Sequence, residues 1–258
     1  MVAGPSSSAP RSVSFVVPAY NEERRLSDSL ARLVDFAGGQ PYSAEITVVD
    51  DGSGDSTAEI AREAAARTLP GNVSLRLLQH DRNRGKGAAV RTGALAATGD
   101  VVLYLDADMA TPPEETPKLL AALEAGVDVA AGSRVQPGGV DLRASQPALR
   151  RIGGRLFGLA RRRLLLSDVE DSQCGFKAFR KHAARAIFAR QRLEGWAFDA
   201  ELLFLARKLG FTVRQVPVAW QHVEGSRFRV GPAAALREVR DLLRIRWLHR
   251  GVEGERER

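Results

Sequence analysis

The sequence predicts an α/β fold, a mostly parallel central sheet flanked by helices, followed by a helical C-terminal subregion. Three observations predict it. Short β-branched and apolar runs alternate with segments of helical spacing, one pair every roughly 20–30 residues. Each run ends in a polar cluster: PAYNEE, DDGSGD, the loop around NRGKG, and DADMAT. In such sheets ligands bind at the carboxyl ends of the strands, so four clusters there point to a site. Beyond residue 135 the alternation gives way to loops and arginine-rich helical segments.

The elements follow in order. SVSFVVPAY (12–20) is a β-branched run ended by proline, as a buried strand is. NEERRLSDSLARLVDF (21–36) carries Leu26, Leu30 and Leu33 at helical spacing, with Asn21 placed to cap it. AEITVVD (44–50) is a second strand, running through the turn-rich DGSGDST into helix AEIAREAAART (58–68). VSLRLLQ (73–79) is the third strand, and the loop HDRNRGKG leads into helix AAVRTGALAAT (88–98). VVLYLD (101–106) is the fourth strand. PPEETPKLLAALEAG (112–126) opens on prolines and acids, as a helix N-terminus favours, and VDVAAGS (127–133) is the fifth strand. PALRRIGGRLFGLARRRLLL (147–166) has Leu149, Ile152, Leu156 and Leu159 at helical spacing with arginines between them. DSQCGFKAFRK (171–181) is a polar turn leading into a short strand. AFDAELLFLARKLG (197–210) is a helix ended by glycine, and FTVRQVPVAW (211–220) is a strand. HVEGSRFRVGP is a polar loop, and PAAALREVRDLLRIRWLHR (232–250) is an amphipathic, arginine-rich helix. With neither repeat nor linker, 12–250 reads as one domain between a disordered leader (1–11) and a frayed tail (251–258).

Composition narrows the function classes. The chain has 258 residues, 44% of them hydrophobic, enough for a substantial core. Its net charge of +7 suits an anionic partner, whether nucleic acid, membrane surface or phosphorylated substrate. The single cysteine, Cys174, excludes an internal disulfide and fits a reducing compartment. No run of about 20 apolar residues is present, so no transmembrane helix is expected.

Asp106 and Asp108 flank Ala107 where the fourth strand ends, and strand alternation turns both carboxylates to one side. Two carboxylates aimed at one point make a hard-oxygen site for Mg²⁺ or Mn²⁺, usually completed by substrate phosphates. The competing reading is that Asp108 or Thr111 caps the helix near Pro112. Asp50 and Asp51 end the second strand, where an acid can accept from ribose hydroxyls or base N–H groups. An Asx-turn followed by a cap at Asp55 or Ser56 explains the same residues. The NRGKG loop lacks the order of a phosphate-binding Walker sequence and by itself reads as a polar turn before a helix. Arg134, leaving the fifth strand, can clamp phosphate, and Arg227 and Arg229 sit in a glycine-containing loop able to close. Asp199 and Glu201 open a helix whose dipole alone would favour acids there.

The ordered set PAYNEE, VVDDGSGDST, NRGKGAAVRTG, DADMAT, GSR, DSQCGFKAF, WAFDAELL and EGSRFR resembles family-2 glycosyltransferases with the GT-A fold. More narrowly, it is similar to dolichyl-phosphate β-glucosyltransferases and their bacterial polyprenyl-phosphate relatives. The resemblance spans about Val13 to about Arg250. It implies a nucleotide-sugar-binding half (12–135) and an acceptor-binding half (136–250). It implies that Pro18, Tyr20 and Glu22 line a nucleoside pocket, with Asp50 and Asp51 on the base or ribose and Lys86 near the nucleotide. Asp106 and Asp108, with Ala107 between them, would carry Mg²⁺ or Mn²⁺ on the sugar diphosphate. Arg134 would stand near the acceptor phosphate, Ser226 and Arg227 on a closing loop, and Asp199 as base or sugar-orienting acid.

The function so implied is inverting, metal-dependent transfer of a hexose, glucose from UDP-glucose first, onto a polyprenyl or dolichyl phosphate. The alternatives are a soluble hydroxyl acceptor, GDP-mannose as donor, or a basic nucleic-acid-binding module. With no RNA-binding signature and only 6% aromatic residues, no nucleic-acid partner is expected. The expected location is the cytoplasm, with 147–166 and 232–250 either resting on an anionic inner leaflet or packing on the core.

Overall fold

The computed structural model describes residues 10–142, 169–222 and 232–252. Seven strands form one sheet: β1 (Ser12–Ala19), β2 (Ser43–Asp50), β3 (Val73–Gln79), β4 (Val101–Leu105), β5 (Val129–Ser133), β6 (Phe176–Arg180) and β7 (Val213–Pro217). The helices are α1 (Leu26–Gly38), α2 (Thr57–Ala66), α3 (Lys86–Ala96), α4 (Thr116–Glu124), α5 (Lys181–Arg190), α6 (Phe198–Lys208) and α7 (Pro232–Leu248). Strand order is β3-β2-β1-β4-β6-β5-β7. All neighbours run parallel except β6, which is antiparallel to both β4 and β5.

Strand alternation divides the core between the two faces of the sheet. Val13, Phe15 and Val17 of β1 pack with Leu26, Leu30 and Leu33 of α1 and Leu119 and Leu123 of α4. Val16, one residue out of phase, packs with Val90 of α3, Ile187 and Phe188 of α5, Leu202 of α6 and Leu242 and Ile245 of α7. Val16, Val17, Ile187 and Leu202 are fully excluded from solvent.

Two expectations change, and two features go beyond what the sequence showed. The first helix begins at Leu26, not Asn21, because residues 21–23 are tied to the turn after β2. Asn21 sits in the left-handed region (φ 53°) and its side chain accepts from Gly54 N–H, while Glu22 N–H donates to Thr57 Oγ1. Helix α5 was not read from the sequence; its apolar positions Ala183, Ala184, Ile187 and Phe188 follow the strand without a break. The fourth strand ends at Leu105, so Asp106 to Met109 form a turn, with Met109 left-handed at φ 49°. The DSQCGFKAF strand is inserted between β4 and β5, with Leu105 opposite Phe176. Segment 147–166 lies outside the described residues, and no described helix is long and apolar enough to cross a membrane.

Candidate active site

The C-terminal ends of β1 and β4 and the first turn of α3 enclose a cavity of about 310 Å³. Pro18, Tyr20, Glu22, Asp51, Lys86, Asp106, Ala107 and Asp108 all line it, brought together from four separate polar clusters. Arg25, Asn83 and Trp196 line it as well, although nothing in the sequence had singled them out for binding.

Lys86 is the first residue of α3, and its ammonium lies 2.6 Å from Asp106 Oδ1. Burial alone would push Lys86 down, but Asp106, Asp199 and Asp108 outweigh it and hold its affinity for the proton above the ordinary lysine range. Trp196 adds an aromatic face 5.2 Å from the same nitrogen. At Asp106, burial raises the carboxyl above its usual range, Lys86 opposes that shift, and Asp108 adds to it by like-charge repulsion. The antiparallel register of β6 brings Gly175 against this acid, and a Cβ there would collide with the Asp106 carboxylate. Asp108 Oδ1 accepts Ala110 N–H at 3.0 Å, so one carboxylate both braces the turn and faces the cavity. The 3-10 turn at Pro113–Glu115 has no side-chain cap, so neither Asp108 nor Thr111 serves it that way.

The other candidates are placed less uniformly. Asp50 is buried, accepts from Gln79 Nε2 at 3.0 Å and Ser53 Oγ, and is not among the cavity's lining residues. Asp51 lines the cavity, yet it accepts Gly85 N–H at 2.7 Å and Arg84 N–H at 3.0 Å and pairs with His80 Nδ1 at 2.7 Å. It thereby anchors the NRGKG loop beneath α3. Arg134 makes a bidentate pair with Asp171, Nε and Nη2 each at 2.7 Å, and its guanidinium lies 5.7 Å from the Trp220 ring centre. Burial opposes its charge, but Asp171 prevails and raises its pKa further. Trp220 lines a second cavity of about 330 Å³ that shares Asp108 with the first. Ser226 and Arg227 lie outside the described residues.

Asp199, in the first turn of α6, is 2% exposed and lines neither cavity. Its Oδ1 accepts from Lys177 Nζ at 2.5 Å and from the Tyr104 hydroxyl. Burial first, and the Asp199 charge second, lift Tyr104 well above the usual phenol range. Lys177 also donates to the Cys174 carbonyl at 2.6 Å, so it spans Asp199 and the segment that brings Gly175 to Asp106. Sequence reasoning missed Lys177. Its signal was present, however: a lysine inside the apolar run GFKAF demands a buried partner.

Among the described residues no group of three or more His, Cys, Asp and Glu could hold a metal. Asp106 and Asp108 fit a hard divalent cation in the form in which one or two carboxylates hold it and substrate phosphate oxygens complete the shell. Both carboxylates line the same cavity, so the donor set is one of hard oxygens facing one space, which suits such a cation.

The sequence profile of the family described as "Glycosyl transferase family 2" matches residues 14–188. The dolichyl-phosphate beta-glucosyltransferase of Dictyostelium discoideum is 35% identical over 245 residues, covering 91% of this chain and 74% of that protein. The Homo sapiens enzyme of the same name is 33% identical over 249 residues, covering 92% and 75%. Among solved structures, glucosyl-3-phosphoglycerate synthase from Mycobacterium tuberculosis in complex with Mn²⁺, UDP and glucosyl-3-phosphoglycerate superposes with a TM-score of 0.67. At 20% identity, over 96% of this chain and 83% of that one, this likeness shows the shared GT-A architecture.

Proposed function

The chain belongs to glycosyl transferase family 2, and from that premise we propose that it transfers glucose from UDP-glucose to a dolichyl or polyprenyl phosphate, inverting the anomeric centre. The observation that carries the reading is the Asp106–Lys86–Asp108 arrangement in a cavity lined also by the two other strand-end clusters, PAYNEE and DDGSGD. Support for the sugar and the acceptor comes from relatives at 30–37% identity that carry the dolichyl-phosphate glucosyltransferase name.

The nucleoside lies against Pro18, Tyr20 and Glu22, and the diphosphate lies over Lys86, Asp106 and Asp108. A Mg²⁺ or Mn²⁺ ion held by Asp106 and Asp108 would supply Lewis-acid neutralisation of the leaving diphosphate. Lys86, kept charged by three acids, offers a second positive group on the same floor. The acceptor approaches from the side of Asp108 and Trp220, with Arg134 behind the tryptophan. An acceptor phosphate oxygen forms the new bond to the anomeric carbon. The carbon–oxygen bond to the diphosphate breaks, and the nucleoside diphosphate leaves with the electron pair. A phosphate acceptor is already anionic and needs no base, in keeping with an Asp199 carboxylate buried against Lys177 and Tyr104. Asp199 then acts by holding the wall behind Asp106.

The stripe Arg240, Leu243, Arg244, Trp247 and Arg250 along and just past α7, all exposed, suits the headgroup layer where a polyprenyl acceptor resides. The test is a panel of sugar nucleotides with Mg²⁺ or Mn²⁺, with and without polyprenyl phosphate, read by released nucleotide and by glycolipid. Turnover is expected with UDP-glucose only when metal and lipid phosphate are both present. Transfer to soluble hydroxyls alone, or no turnover with any donor, would sink the proposal.

A further inference from the structure

A buried carboxylate–imidazole contact lies outside the cavity and ties the C-terminal helix to it. Glu201, two residues after Asp199 on α6, is fully buried, and His249, just past the end of α7, is 2% exposed. His249 Nε2 lies 2.6 Å from Glu201 Oε1. The same carboxylate accepts two backbone groups, Arg192 N–H and Leu193 N–H, each at 2.9 Å. Helix dipole alone would explain an acid in this first turn, but it would not explain three convergent donors on a fully buried carboxylate.

The segment that Glu201 grips is the support of α3's first turn. Gly87 N–H donates to the Glu194 carbonyl at 2.7 Å, and Gln191 Nε2 donates to the carbonyls of Gly87 and Leu193 at 2.8 Å each. The two backbones approach so closely that a Cβ on Gly87 would stand 2.7 Å from the Leu193 carbonyl oxygen. That turn carries Lys86, and the gripped segment continues into Trp196, whose ring faces the Lys86 ammonium. The contacts are continuous from His249 through Glu201, residues 192–194 and Gly87 to Lys86 and Asp106.

We propose that Glu201 and His249 are positioning residues of the diphosphate site: His249 orients the Glu201 carboxylate, and Glu201 sets the height of the 192–196 segment and so of Lys86 against Asp106. The inference rests on reading the Lys86–Asp106 cavity as the donor site. It makes the end of α7 part of that site's frame, although among the described residues none from α7 lines the cavity.

The test uses the full chain and measures UDP binding with Mn²⁺ by calorimetry, together with KM and kcat for UDP-glucose. His249→Leu is expected to weaken UDP binding and raise the donor KM about tenfold, with kcat changed less than about threefold. His249→Gln, which can still donate to Glu201, restores most of the affinity. In a Lys86→Met background, His249→Leu adds less than about twofold, because the path runs through Lys86. Equal losses in both backgrounds, or unchanged UDP affinity in a folded His249→Leu, would overturn the inference. Should His249→Leu fail to fold, Glu201→Gln carries the same comparison with the same two outcomes. Absence of UDP binding by the unsubstituted chain would overturn the donor reading itself and this inference with it. UDP binding that survives while His249→Leu leaves it unchanged overturns this inference alone.

Discussion

Lys177 is 0% exposed, and a lysine so deep in a protein is held there by a partner charge. Its partner is Asp199, and replacing one leaves the other buried without its counter-charge. Lys177→Met is expected to cost about 3–5 kcal/mol in urea unfolding. Adding Asp199→Asn should recover most of that loss, since neither member of the pair is then charged. Recovery of less than about half would mean that Lys177 acts mainly through the Cys174 carbonyl. Gly175 works by absence, leaving room for the Asp106 carboxylate. Gly175→Ala is expected to lower kcat/KM about a hundredfold while the unfolding midpoint moves little, because the displaced group is a reacting-site acid rather than core. The Cys174 thiol, buried and pushed up to about 11, should resist alkylation at neutral pH until the chain unfolds, as thiol titration with and without denaturant would show.

At the scale of elements, Glu45 on β2 joins three segments. It accepts from Ser14 Oγ of β1 at 2.6 Å and from Thr98 N–H and Oγ1 at 3.0 Å each, and it pairs with Arg76 of β3 at 2.9 Å. Burial pulls its pKa upward, but these bonds outweigh burial and leave it below the ordinary glutamate value. A carboxylate lowered on folding contributes stability above its unfolded pKa and loses it as pH falls through the folded one. Glu45→Gln should therefore destabilise the protein by about 1–2 kcal/mol at pH 7. The gap from the parent should close below about pH 4, measured as unfolding free energy against pH. Helix and strand cores were legible in the sequence, because Leu26, Leu30 and Leu33 or the run VVLYL repeat at their own local period. Boundaries were less so. The start of α1 moved by five residues because Asn21 and Glu22 bond to residues 53–57, a tertiary competitor for the cap.

For the whole molecule, the order β3-β2-β1-β4-β6-β5-β7 makes the site. Insertion of antiparallel β6 beside β4 carries Gly175, Lys177 and the Asp171–Arg134 pair to the edge where β1 and β4 end. On the outside, Leu243 (52% exposed) and Trp247 (63% exposed) share a helical stripe with Arg240 and Arg244, and Arg250 stands over the Trp247 ring. Trp247→Ala combined with Arg244→Glu should reduce co-sedimentation with phosphatidylglycerol vesicles about tenfold or more, while leaving UDP binding intact. Unchanged sedimentation would remove this stripe from any role at a membrane.

The sequence alone determined the α/β alternation and the strand-end location of the polar clusters, DADMAT and the loop around Lys86 among them. These follow from side-chain periodicity and turn chemistry, which act over a few residues. Only the tertiary structure decided which acids face the cavity and which are consumed inside the protein. Asp106 and Asp108 remain on the cavity wall, Asp51 lines the cavity but is also tied to the loop it braces, Asp199 answers Lys177, and Glu201 answers His249. The cost of burying a charge sets those assignments, and the partner that offsets it lies 22 residues away for Lys177 and Asp199 and 48 for Glu201 and His249. No local pattern records separations of that kind, because the sheet order that closes them exists only once the chain has folded.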